Sequence, residues 1–261
     1  MRYAIVGFAL LLAAGIAVAA VTLLRSSPPA YHSTDGATIS RFTMHSGAVG
    51  RDLHELLVRP RGTHGRFLLV LLHGRGGSPA SWLSQPFFDE LRALGPRAPA
   101  VLLLDGGDHS YWHDRRDGRW GTMVLREAIP AGLARTHAAR IAIGGMSMGG
   151  FGALDLATHG GFCAVGGHSA ALWQTAGDTV PGAFDDAADF ARHDLIAHQA
   201  RYGMPVWLDV GTHDPFRAAN IAFVRKLHGT VTLHVWPGGH DGAYWRAHVK
   251  AYLRFYAGAC G

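Results

Sequence analysis

Short apolar runs recur along this chain at Leu53 to Val58, Phe67 to Leu72, Ala100 to Leu104, Ile141 to Ile143, Cys163 to Val165, Val206 to Val210 and Val231 to Val235. The run Phe67-Leu68-Leu69-Val70-Leu71-Leu72 has no polar position. A strand with one wet face would alternate, so this run demands cover on both faces. Between most of the runs lie stretches long enough for helices: Ser81 to Leu94, Thr122 to Ala134, Phe151 to Thr158, Phe216 to Leu227 and Tyr244 to Tyr256. Strand alternating with helix predicts an α/β architecture, a mainly parallel central sheet with helices on both faces. Ligands then sit beyond the carboxyl ends of the strands. With 261 residues, 48% of them hydrophobic, the chain can build one large core, and its composition excludes a collagen-like repeat, a coiled coil or a disordered tail.

Ahead of the first run the composition changes. No residue from Tyr3 to Leu24 is charged, and 22 residues at about 1.5 Å each span roughly 33 Å as a helix, enough for a bilayer core. The segment reads as an uncleaved single-pass membrane anchor. Ala17-Val18-Ala19 suits a signal-peptidase site, so a cleaved signal and a secreted product is the alternative. Arg2 and Arg25 flank the run equally and leave its orientation open, but almost everything lies downstream, which places the remainder outside the cytoplasm. The expected organisation is an anchor or signal over 1–25, a linker over 26–37 and a catalytic domain over 38–261. Cys163 and Cys260, the two cysteines, suggest one disulfide in an exported chain, although pairing does not follow from sequence. The other reading is a buried free Cys163 and a frayed Cys260. The net charge of +5 comes from scattered arginines rather than a basic stripe, so nucleic acid is not an expected partner.

Gly145-Met146-Ser147-Met148-Gly149 lies between the run Ile141 to Ile143 and the helical Phe151 to Thr158. A serine on a sharp strand-to-helix turn stands above the sheet, and small neighbours are needed because chain segments crowd there. A serine hydroxyl is a weak nucleophile at neutral pH and needs a base, which in turn needs an orienting carboxylate. In this architecture both follow later strands in the order acid, then histidine. Asp214 comes just past the run ending at Val210, and His240 follows Trp236-Pro237-Gly238-Gly239 after the run ending at Val235. Asp209 competes with Asp214, but inside a strand it would point into a face of the sheet. His73-Gly74-Arg75-Gly76-Gly77 follows the run ending at Leu72 and can turn a backbone N–H toward the serine. The expected oxyanion donors are the N–H groups of Arg75 and Met148. The same glycines lack the Lys-Ser/Thr ending of a phosphate-binding loop. His109 and His113 lie four apart near Asp105, Asp108 and Asp114, but no helix there puts both rings on one face, so no metal is expected, and no cofactor.

Two long stretches should rim the site: Asp105 to Gly121 and His168 to Met204. Tyr111, Trp112 and Trp173 are the candidate substrate-binding residues, with Phe184 and Phe190 beside them. Arg115, Arg116 and Arg119 could favour a polar or anionic alcohol portion. The alternative is that the rings pin the loops to the core and the arginines face water.

At this point the chain resembles a family. The stretch Gly144-Gly145-Met146-Ser147-Met148-Gly149-Gly150-Phe151-Gly152-Ala153-Leu154 carries the resemblance together with His73-Gly74-Arg75, Gly211-Thr212-His213-Asp214-Pro215-Phe216 and Gly238-Gly239-His240-Asp241-Gly242-Ala243-Tyr244-Trp245. They are similar to the esterases of the α/β-hydrolase fold that include esterase D (S-formylglutathione hydrolase), feruloyl and acetylxylan esterases and the mycolyltransferases. The likeness runs over nearly all of residues 50–257. It implies a triad of Ser147, Asp214 and His240, with oxyanion donors at Arg75 and Met148. Mycolyltransferases carry Glu at the acid position, so Asp214 favours a simpler serine carboxylesterase. Acyl transfer to a sugar or other alcohol is the alternative, and a non-catalytic binding protein is a more remote one. The apolar N-terminal run argues against a cytosolic glutathione-ester hydrolase. Expected partners are a small-molecule, glycan or lipid ester and, through the N-terminal segment, a membrane.

Overall fold

The computed structural model describes residues 31–62 and 66–261. An eight-stranded sheet forms the centre: β1 (Thr38–Ser46), β2 (Arg51–Arg59), β3 (Phe67–Leu72), β4 (Ala100–Leu104), β7 (Arg140–Met146), β8 (Ala164–His168), β9 (Val206–Gly211) and β10 (Val231–Trp236), with β5 (Asp114–Arg115) and β6 (Gly118–Arg119) making a separate short hairpin. The order across the sheet is β1-β2-β4-β3-β7-β8-β9-β10. β1 pairs with β2, and β2 with β4, antiparallel; every other pairing in this sheet is parallel. The helices are α1 (Gln85–Leu94), α2 (Ile129–Thr136), α3 (Met148–Ala157), α4 (Ala187–Arg192), α5 (Arg217–Val224) and α6 (Gly242–Cys260). A helical turn Trp120–Thr122 and a π-helical stretch Met123–Ala128 lead into α2.

Both faces of the sheet are covered, and β3 shows how. Leu68, Val70 and Leu72 enter one core with α2, α3 and α5, while Phe67, Leu69 and Leu71 enter the other with α1 and α6. All six side chains are buried, each burial stabilising by about 1.5–3 kcal/mol, and this is why the run lacks a polar position. The expected strands all form, and the sheet gains β1, which the sequence reading left out. β1 is an edge strand whose residues, apart from Ser46, stay in contact with water, so it carries polar and charged residues at most positions. The long stretch His168 to Met204, expected to rim the site as a loop, contains α4, whose N-terminus is capped by Asp186 accepting from Asp189 N–H at 2.8 Å.

Cys163 and Cys260 form a disulfide with Cα atoms 5.5 Å apart, so neither is a free thiol. The bond joins the lead-in to β8 to the last turn of α6, and Arg140 donates to the carbonyls of Cys260 and Ala259 beside it. No helix among the described residues is long and apolar enough to cross a membrane. The expected anchor over 3–24 lies outside the described residues.

Candidate active site

Ser147 is the pivot between β7 and α3. Its φ of 54° and ψ of −117° put a non-glycine residue in a costly backbone region, of order 1–3 kcal/mol, that holds the side chain clear of the sheet. The crowding around this turn dictates its glycines: a Cβ on Gly145 would collide with the Gly149 carbonyl, and one on Gly149 with the carbonyl of Leu72. Ser147 N–H donates to His168 O at 3.0 Å, and Ser147 O accepts from Ala171 N–H at 3.0 Å, locking the turn to the end of β8.

His240 and Asp214 arrive from the ends of β10 and β9. Their loops are laced together by Thr212 N–H to Trp236 O at 2.8 Å and His213 N–H to Gly238 O at 2.9 Å. Asp241 caps α6 by accepting from Tyr244 N–H at 2.9 Å, which fixes the residue just before it. The outcome is a continuous chain: Ser147 Oγ donates to His240 Nε2 at 2.7 Å, and His240 Nδ1 donates to Asp214 Oδ2 at 2.8 Å. The Asp214 side chain is fully buried, its second oxygen accepting from Phe216 N–H at 2.8 Å, while the His240 ring keeps 21% exposure, enough for a substrate or water to reach it. Phe216 and Trp245 hold that ring edge-on, with centroids 5.0 and 5.1 Å away. A cleft of about 550 Å³, lined in part by Gln174, Thr212, Pro215, Arg217 and Arg225, opens beside Asp214.

The competing carboxylate is elsewhere. Asp209 is buried under the sheet, where its oxygens accept from His168 Nδ1, Trp207 Nε1, Tyr244 Oη and Tyr252 Oη at 2.8–3.1 Å. Every lone-pair direction of a carboxylate is taken, and none points to His240.

The two expected oxyanion donors converge on the same turn. Gly74 lies against Ser147, whose Cβ would be 3.3 Å from a Cβ added there. Among the described residues no group accepts from Arg75 N–H, and Met148 N–H opens α3 with no carbonyl one turn behind it. The ring of His73, not singled out from the sequence, sets the direction of this peptide. Its Nδ1 donates to Gly74 O at 2.8 Å, and its Nε2 accepts from Gly106 N–H at 3.1 Å. Because the Gly74 carbonyl and the Arg75 N–H belong to one trans peptide, gripping the first aims the second the opposite way. Burial holds the His73 pKa below its ordinary value, which keeps the ring neutral with Nε2 as acceptor.

A family model described as "Putative esterase" matches residues 120–256, the span that contains Ser147, Asp214 and His240. The chain belongs to this esterase family. Comparison with curated proteins returns no match. Solved structures similar to this chain include a ferulic acid esterase, 19% identical over 85% of this chain and 98% of that one, with a TM-score of 0.72. An S-formylglutathione hydrolase from Agrobacterium tumefaciens is 15% identical over 89% and 99%, also at 0.72. A fluorophosphonate-binding serine hydrolase from Staphylococcus aureus is 17% identical over 85% and 98%, at 0.68. These likenesses show the α/β-hydrolase fold.

The expected substrate wall needs correction. Tyr111 and Trp173 stand in a row of rings that ends at the triad, Tyr111 to Trp173 at 5.6 Å, Trp173 to Phe216 at 5.4 Å and Phe216 to His240 at 5.0 Å. Tyr111 and Trp173 are themselves buried, at 2% and 7% exposure, and Trp112 is not in the row. It is fully buried beneath the loop of residues 73–77, donating from Nε1 to His73 O at 3.2 Å and filling space left by Gly106 and Gly152. Arg115 and Arg116 are likewise engaged: Arg115 donates to the carbonyls of His109 and Gly182 and pairs with Asp185, and Arg116 pairs with Asp186. They bind the two long loops to each other rather than a substrate. Arg119 is an exposed residue of β6.

One buried acid behind the loop makes the protein pH-sensitive. Glu55 Oε2 accepts from Asp105 N–H at 2.7 Å, Oε1 has no partner among the described residues, and burial pushes the carboxyl from about 4.5 up to about 8. The native state therefore keeps a proton that the unfolded chain loses, so stability falls as pH rises from about 4.5 to about 8 and levels off above. Glu55→Gln should flatten this profile, gaining a few kcal/mol on the parent by the alkaline end. Denaturant unfolding across this pH range measures it, and parallel curves for the two proteins would refute the assignment.

Proposed function

We propose that this protein is a serine carboxylesterase that works through an acyl-enzyme on Ser147. The observation that carries the reading is the unbroken Ser147–His240–Asp214 hydrogen-bond chain beside two unengaged backbone donors. As an ester carbonyl comes to Ser147 Oγ, His240 Nε2 takes the hydroxyl proton and Oγ attacks. Negative charge grows on the carbonyl oxygen, where Arg75 N–H and Met148 N–H receive it without having to reorient. Asp214 holds the tautomer of His240 and stabilises the imidazolium. His240 then gives its proton to the departing alcohol, and a water activated by the same nitrogen releases the acid. Membership of an esterase family supports the carboxylic ester as the bond broken.

Phe216, half-buried against His240 and backed by Trp173, supplies an apolar surface for the acyl portion. The disulfide between Cys163 and Cys260 suits an oxidising compartment and supports a location outside the cytoplasm, with residues 3–24 as the tether. The test is a panel of esters of rising acyl length, run with and without sugar or simple alcohol acceptors. The reading expects free acid as the main product in both arms. A dominant transfer product at modest acceptor concentration would replace hydrolysis by acyl transfer, and no turnover of any ester would refute the enzyme.

A further inference from the structure

A second constellation lies on the far side of the aromatic row, between the loop after β4, α3 and α4. His113 and Asp189 are fully buried there, and His193 is one-fifth exposed. One ligand-capable atom from each falls within 4.8 Å of the other two. His113 Nε2 is 3.1 Å from Asp189 Oδ2, His193 Nε2 is 3.9 Å from Asp189 Oδ1, and the two rings lie 4.5 Å apart between centroids. His109, the neighbour that sequence spacing offered to His113, is instead at the surface beside Asp108.

We propose that His113, Asp189 and His193 form a binding site for a borderline divalent transition ion such as Zn2+. Two imidazoles and one carboxylate are the donor set such ions take, with a fourth position left to water. Around a tetrahedral Zn2+ with bonds near 2.0–2.1 Å, ligand atoms sit about 3.3 Å apart, so side-chain movements of about an ångström close the site. The outer contacts are in place. Asp155 Oδ2 holds His193 Nδ1 at 3.0 Å, the carboxylate–histidine pairing that aims the opposite nitrogen at an ion. His113 Nε2 donates to Asp189 Oδ2 in the metal-free chain, so an ion at this nitrogen would displace its proton to Nδ1, which is buried with no partner among the described residues. Asp189 also accepts from Asp185 N–H at 2.9 Å and from Arg192 at 2.9 Å. The Asp185 contact fixes the carboxylate. The Arg192 side chain is 64% exposed and can swing into water, freeing Oδ1 and opening the approach from the His193 side.

The site is independent of the esterase chemistry. An ion there would tie the β4 loop to α4 and, through Asp155, to α3, behind Phe184, whose ring stacks on His113 at 5.1 Å.

The test is calorimetric titration of the chelator-treated full chain with Zn2+, with Co2+ absorbance as the reporter of coordination geometry. One equivalent should bind, and Co2+ should give the intense visible bands of a four-coordinate site. His193→Asn retains a side-chain N–H for Asp155 but removes the ligating nitrogen, and should weaken binding by 100-fold or more. Asp155→Asn, an outer change, should cost about 10–100-fold. His45→Asn, at an exposed histidine paired with Asp52, should change nothing. Asp189→Asn is informative only if its metal-free unfolding matches the parent, which is why His193 and Asp155 carry the test. Binding that survives His193→Asn, or a parent that binds no equivalent above the level of that variant, overturns the proposal.

Discussion

Ser147→Ala should abolish fluorophosphonate labelling and lower kcat by about 10⁵–10⁶-fold, leaving only what the oxyanion donors and binding supply. The expectation rests on the proposed acyl-enzyme, and a second substitution separates it from a folding defect. Because Ser147 sits at φ 54°, glycine is the residue that this backbone prefers. Ser147→Gly should be as inactive as Ser147→Ala yet more stable by about 1 kcal/mol. Activity measured per folded molecule, together with unfolding midpoints for both variants, checks this. Residual labelling at parental strength in either variant would remove Ser147 from the mechanism.

The second large effect divides two aspartates that lie close together in sequence. Asp214→Asn should reduce kcat by about 10⁴-fold with an unchanged unfolding midpoint, because the amide still accepts from Phe216 N–H but presents the wrong partner to His240. Asp209→Asn should do the reverse. Four donors converge on its carboxylate, and an amide would turn an N–H toward some of them in a dry interior, at a cost on the order of 3 kcal/mol. Near-parental turnover with Asp214→Asn would move the orienting role elsewhere.

The hydrogen-bonded chain of Ser147, His240 and Asp214 was legible because each member depends on local signals: an apolar run, then a turn of small residues, then one polar side chain just past the strand's end. What escaped was decided by direction rather than by composition. Trp112 and Trp173 are both aromatic residues on loops, and sequence treats them alike. Tyr111 and Trp112 have φ values of 51° and 63°, and with Gly106 and Gly152 leaving room, the Trp112 indole turns down into the core instead of toward the triad. Arg115 misled for the same reason, since its partners are carbonyls and a carboxylate from a segment some 70 residues away. β1 gave no apolar run because a sheet edge does not need one. The pairing of His113 with Asp189 and His193 joins the loop after β4 to a segment 76 residues further on, which no spacing rule reports.

The Cys163–Cys260 bond also divides the catalytic chain between two topological compartments. Asp214 and His240 both lie inside the covalently closed ring, whereas Ser147 lies ahead of it on the open part of the chain. A protease that cuts an exposed loop within the ring, such as the turn around His228 and Gly229, leaves one molecule and not two. Both flanks of such a nick stay tethered, and the fragment bearing His240 cannot diffuse away from the serine it serves. The crosslink thus turns a cut that would split the chain into one that leaves a single covalent molecule.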